Sequence, residues 1–155
     1  MAINAHFKVD GIDGGRTANP GEIDFSSFSW GCSGQYDIAT SKPSGKRRLG
    51  PLKVTKPVDV TTPLFFRLLI HNAKIGSMEI SYDKPVKGGK QEVYFSVKLT
   101  NAAVINQEVS QNAGELIPHP NEVLSFIYEK VEISYKAENA DGTLKGAVTT
   151  MDTIG

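Results

Sequence analysis

Four groups of residues in this 155-residue chain are of types that could do chemistry. Histidines stand at His6, His71 and His119, and an imidazole can hold a metal ion or move a proton near neutral pH. The only cysteine, Cys32, follows the only tryptophan, Trp30, across one glycine, inside IDFSSFSWGCSG, Ile23 to Gly34. A basic run, Lys46-Arg47-Arg48, could meet an acidic patch on a partner, and DGIDGG could be read as the start of a calcium loop. None of the four reaches a site pattern. No histidine has a His, Cys or acidic partner at metal-ligand spacing. DGIDGG lacks the alternating oxygen ligands and the distant Glu of an EF-hand, and reads as a turn. KGGK and SGK lack the spacer and the strand-to-helix context of a phosphate loop. Cys32 has no neighbouring His or basic residue to lower its pKa, which argues against a nucleophile. The sequence names no catalytic, cofactor-binding or metal-ligating residue, and the chain is not expected to be an enzyme.

The elements that would carry these residues are mostly strands. Hydrophobic residues make up 39% and charged residues 22%, values of an ordinary globular chain, and the length suits one domain with a real core over 1–155. Seventeen basic residues balance seventeen acidic ones, so no net field favours nucleic acid or an anionic membrane. The N-terminus lacks the charged start and apolar run of a signal peptide. The longest apolar cluster, Leu64 to Ile70, is far too short to cross a bilayer.

Strand-like segments follow one another: AHFKV, a second from about Glu22 to Tyr36, LKVTK, SMEISYD, QEVYFSVKLTNAAVI, EVLSFIYEKVEISYKAE and TLKGAVTTMDTI. Loops are expected at Ser41 to Pro51, at KPVKGGK, over QEVSQNAGELIPHPN, and at the Asp141-Gly142 turn. The period changes once, predicting a helix over about 62–74. Thr62 suits its N-cap, Pro63 its first helical position and Gly76 its stop. One helix among six or more antiparallel strands points to a closed β-barrel or tight sandwich with a helix on its flank.

Two features leave surface to be covered, by neighbouring loops of the same chain or by another subunit. At about 100° per residue, Leu64, Phe65, Phe66, Leu68, Leu69 and Ile70 cover roughly two-thirds of the helix, more than one sheet can bury. Strand parity also breaks twice. Phe25 gives way to Phe28, Trp30 and Cys32, and Leu124, Phe126 and Tyr128 give way to Val131, Ile133 and Tyr135. Such a step marks a bulge or a barrel corner. By the same parity Trp30 and Cys32 are expected to point together into the core.

Several segments in one order resemble the haemolysin-coregulated proteins (Hcp), the tube proteins of bacterial type VI secretion. GEIDFSSFSWG is similar to their second strand, and LKVTKPVDVTTPLFFRLL to their strand, turn and Thr-Pro helix start. YFSVKLTNAAV and IYEKVEISYKAENADGT are similar to their long strand and closing hairpin, and the likeness runs from Ile3 to Met151. The resemblance implies a small closed barrel of two packed antiparallel sheets with one flanking helix. It also implies a homohexameric ring with a wide channel, and rings that stack into a tube inside a contractile sheath with a spike at its tip. Small effectors would ride in the channel. The chain would start in the bacterial cytoplasm and leave without a signal peptide, binding no nucleic acid and entering no membrane. Carried onto this chain, Lys46, Arg47 and Arg48 become candidate ring-stacking residues, and Phe65, Phe66, Leu69 and Ile70 a candidate subunit-contact face. The alternatives are a phage-type tail-tube protein and a monomeric β-domain binding a small ligand.

Overall fold

The structure, a computed structural model, describes residues 3–14, 21–114, 116 and 118–154. In chain order the first elements are β1 (Asn4–Val9), β2 (Ser27–Ser29), β3 (Cys32–Ser33), β4 (Tyr36–Asp37), β5 (Lys42–Pro43), β6 (Arg48–Leu49) and β7 (Leu52–Pro57). After α1 (Thr61–Ile70) come β8 (Ile75–Pro85), β9 (Gln91–Ser110), β10 (Asn121–Ile127), β11 (Lys130–Glu138) and β12 (Leu144–Thr153). Eight strands form one curled antiparallel sheet in the order β1-β8-β9-β10-β7-β2, with β11 on β9 and β12 on β11. The mainly β architecture, with a single flanking helix among the described residues, agrees with the sequence reading.

β9 makes the curl possible. Its first half, up to Ala102, pairs with β8 and β11, and its second half, from Ala103, pairs with β10. Between the halves Asn101 takes a φ of 51°, a left-handed kink that turns the strand out of one plane into another. The predicted strand from Glu122 to Glu138 breaks at the same corner. β10 ends at Ile127, Tyr128 and Glu129 turn, and β11 starts at Lys130. Asn101 Nδ2 donates to Glu129 Oε2 at 2.8 Å across the corner, and Glu129 N donates to Thr100 O at 3.1 Å. The parity step between Tyr128 and Val131 is this corner, and both residues stay buried on either side of it.

The earlier parity step has a different cause. Residues 22–26 are not a strand. They cross from β1 to β7, Ile23 N donating to Phe7 O of β1 and Ser26 N to Thr55 O of β7, each at 2.8 Å. The predicted strand from about Glu22 to Tyr36 is therefore broken into short pieces. Only Ser27–Ser29 joins the sheet, after which the chain leaves it. It runs out through β3 and β4 and returns through β5 and β6, so the expected loop Ser41 to Pro51 is the return limb of an arm. The glycines explain the departure. Gly31 and Gly50 meet at the arm's base, where Gly50 N donates to Gly31 O at 2.9 Å, and a Cβ on Gly50 would lie only 2.9 Å from that oxygen.

The helix starts one residue earlier than predicted and stops four residues sooner. Val60 is already helical, so the cap falls on Asp59 and not on Thr62. Asp59 Oδ1 accepts from Thr61 N at 2.8 Å, while Thr62 Oγ1 accepts from Asp59 N at 3.1 Å, a reciprocal capping box. Pro63 follows one turn in, and the Asp59 carbonyl is satisfied by Thr62 N instead. Asn72, not Gly76, ends the helix. With φ 49° it takes the left-handed position, Asn72 N bonds to Leu69 O and Ala73 N to Leu68 O, the two bonds of a Schellman motif. Gly76 lies in β8.

Phe7, Phe65 and Phe126, from β1, the helix and β10, meet edge to face in the core, Phe126 lying 6.4 Å from Phe7 and 5.9 Å from Phe65. No helix among the described residues is long and apolar enough to cross a membrane. Gly15, at the end of DGIDGG, and Glu115 and Ile117, in the irregular stretch, lie outside the described residues. The first part of that stretch, up to Ser110, continues β9.

Candidate functional site

Of the residues that could do chemistry, His6 is tied into the fold by its side chain. His6 on β1 lies between two carboxylates, its Nδ1 2.6 Å from Glu22 Oε1 and its Nε2 2.6 Å from Asp83 Oδ2. The carboxylates sit at opposite ring nitrogens, so the three groups do not converge on one point. The arrangement ties the bridging segment to β1 and β8. No group of three or more His, Cys, Asp or Glu among the described residues could hold a metal ion. His71 caps the helix C-terminus and His119 lies in a loop, both exposed.

A buried polar network escaped the sequence reading. β7 turns Leu52, Val54 and Lys56 to the same inner face, and all three are fully or almost fully buried. Lys56 Nζ meets Glu122 Oε1 of β10 at 2.5 Å, with Asp59 Oδ1 and Pro57 O each at 3.0 Å. Thr62 Oγ1 donates to Glu122 Oε1 at 2.7 Å, and Gln107 Nε2 of β9 donates to Glu122 Oε2 at 2.8 Å and to Thr62 O at 3.0 Å. The network pins the start of the helix to three strands, which is how the TKPVD turn sets the helix on the sheet. The missed signal was a lysine at an inward strand position, which needs a carboxylate partner. Partial burial pushes the Asp59 carboxyl up, but hydrogen bonds from Thr61 and Lys56 outweigh it and hold the group below its ordinary value.

The arm from Trp30 to Gly50 is fastened at two places. At its base Trp30 Nε1 donates to the Tyr128 hydroxyl at 2.6 Å, and that hydroxyl donates to Gly50 O at 2.6 Å. Tyr128 sits at the corner between β10 and β11. Burial pushes its hydroxyl above the ordinary value, against the lowering effect of Trp30. Farther out, the Arg47 guanidinium forms a two-pronged pair with the Asp152 carboxylate of β12, and Arg47 Nη2 also donates to Thr153 O at 3.2 Å. The hydrogen bond from Arg47 raises its own pKa and lowers that of Asp152. Of the candidate stacking residues, Arg47 is thus engaged within the chain. Lys46 and Arg48 are exposed and make no side-chain hydrogen bond or ion pair with the described residues.

Cys32 is exposed, contrary to the expectation that it shares the core with Trp30. Strand parity does not carry across this stretch, because β2 ends at Ser29 and Gly31 redirects the chain. Trp30 alone packs half-buried against the core.

The candidate contact face of the helix is divided. Phe65 is fully buried in its own core and cannot meet a neighbour, while Leu69 is half-buried against it. Phe66 and Ile70 are 54% and 57% exposed, although large and apolar. A second uncovered surface lies at the far end of the sheet. Among the described residues β12 pairs only with β11, and along it Ala147 to Met151 are exposed on both faces, Val148 to 75%.

Comparison with known proteins gives this architecture relatives. Residues 6–135 match the family model described as "Type VI secretion system effector, Hcp". The chain is 23% identical over 111 residues to the major exported protein of Pseudomonas aeruginosa, a match spanning 69% of this chain and 64% of that protein. A solved type six secretion system protein superposes with a TM-score of 0.79 at 21% identity, covering 95% of this chain and 92% of its own. A type VI secretion system effector from Yersinia pestis superposes with a TM-score of 0.71 at 16% identity, covering 97% and 100%. At these identities the superpositions speak for the fold.

Proposed function

This chain belongs to the Hcp family of type VI secretion, whose members are structural and not enzymes, and from that membership we propose that it is a subunit of the secretion tube. Six copies close into a ring around a wide channel, and rings stack into a tube that a contractile sheath expels behind a spike. Small effectors are carried in the channel. The tube is built in the bacterial cytoplasm and exported without a signal peptide. The export of the Pseudomonas aeruginosa relative, as its name states, supports export of this chain.

The observation that carries the reading is β12, a ten-residue strand with one edge unpaired among the described residues and both faces largely exposed. A free edge of this length invites pairing with another chain, and a soluble protein must cover it or use it. Phe66 and Ile70 add an apolar face that a single subunit leaves in water. In the tube, neighbouring copies cover these surfaces, and the arm carrying Lys46 and Arg48 reaches the next ring.

The mass of the purified protein in solution, measured together with negative-stain images, tests the proposal. Rings with an open centre are expected. A monomer at all concentrations up to those used for imaging overturns it.

A further inference from the structure

We propose that Tyr128 and Asp152 are positioning residues that set the arm from Trp30 to Gly50 in its working direction before any second copy of the chain arrives. The inference rests on the tube reading, in which the arm meets a copy in the next ring. Beyond Trp30 and Leu49, which pack half-buried against the core at its base, the arm has little else to hold it. β3 with β6 and β4 with β5 are pairs of two-residue strands, and every residue from Gly31 to Arg48 is exposed. Isolated two-stranded ribbons are marginal in water even when far longer. Its direction is therefore decided by its fastenings. One is the Tyr128 hydroxyl, which accepts from Trp30 and donates to Gly50 and so grips both limbs of the base at once. The other is Asp152, whose carboxylate holds Arg47 on the return limb.

Both fastenings lie on parts of the sheet that define the corner and the open edge. Tyr128 occupies the turn between β10 and β11, and Asp152 pairs with Val131 just past that turn. The arm's direction is thus referred to the rigid curl and not to the arm's own short strands. A contact segment held in its bound shape loses less conformational entropy on association, which strengthens binding without any new contact. This gives Arg47 a role different from that of Lys46 and Arg48: it orients the arm, while its two neighbours remain available to a partner.

Amide hydrogen exchange on the full chain, combined with electron microscopy, tests the assignment. Tyr128→Phe keeps the ring and removes the hydroxyl, and Asp152→Asn keeps the shape and removes the charge. Each is expected to speed exchange of arm amides such as Ser41, Ser44 and Gly50 by about threefold to tenfold, the scale of one or two lost hydrogen bonds. Core amides in β8 and β9 should not change. Tyr128→Phe should also give intact rings but shorter stacks. Leu49→Cys, placed opposite Cys32 in the β3–β6 pair, should form a disulfide that restores stack length to the Tyr128→Phe variant.

Unchanged arm exchange in the Tyr128→Phe, Asp152→Asn double variant overturns the proposal. So does faster exchange with stacks of full length. Should either variant unfold, seen as faster exchange in β8 and β9, the other decides. A wild-type protein that forms no rings overturns the tube reading instead, and the exchange comparison alone then decides whether the two residues hold the arm.

Discussion

Lys56 Nζ lies 2.5 Å from Glu122 Oε1, and neither side chain reaches solvent. The pair joins β7 to β10 beneath the start of the helix, where Thr62 and Gln107 complete the carboxylate's hydrogen bonds. A buried pair adds little over an apolar substitute, but losing one member strands the other. Lys56→Met should therefore lower stability by about 3–5 kcal/mol. Adding Glu122→Leu should recover part of that loss. Urea unfolding of the Lys56→Met and Glu122→Leu single variants and of the double checks this. A double variant as damaged as the sum of the singles would show that the two residues act separately.

Adjacent phenylalanines on the helix should behave differently. Phe65→Ala empties a core position beside Phe126 and should cost about 3–5 kcal/mol. Phe66→Gln and Ile70→Gln touch no core and should leave the circular dichroism spectrum unchanged while reducing the mass in solution. A large assembly that persists in the Phe66→Gln, Ile70→Gln double variant would count against this face as a subunit contact.

Acid should loosen the helix start. The folded pKa of Asp59 is depressed, so its contribution is complete above the unfolded value and is lost as pH falls through the lower, folded one. Wild-type stability should fall as pH drops below the ordinary carboxylate range, and Asp59→Asn should flatten that limb by removing the titrating group. Asp59→Ala should cost about 1 kcal/mol at neutral pH through loss of the cap. Thermal unfolding at a series of pH values measures both.

Cys32 should react with a thiol reagent in the folded protein without prior unfolding, since the arm leaves it exposed. Stoichiometric labelling at unchanged circular dichroism is the expected result. Labelling only after denaturant is added would place the thiol back in the core.

The parity step between Tyr128 and Val131 was legible because inward side chains must stay inward when a strand turns a corner, so the pattern itself shifts. The same rule misled at Trp30 and Cys32. There the chain leaves the sheet, and alternation no longer reports an inside and an outside. The helix was legible from its period, but its ends were not. Asp59 and Asn72 are both ordinary capping types, and the sequence offered Thr62 and Gly76 as equally good candidates.

What the sequence determined by itself was local: strands of period two, one over-apolar helix, the turns at Gly88-Gly89 and Asp141-Gly142, and a motif order that resembles one family. What only the tertiary structure decided was which distant groups meet. Lys56 finds Glu122 across 66 positions and Arg47 finds Asp152 across 105. Periodicity constrains neighbours along the chain, because it reflects the repeat of a single element. Pairing at such separations depends on how the sheet curls, and that curl turns on Asn101, which looks like any other polar residue until β9 bends there.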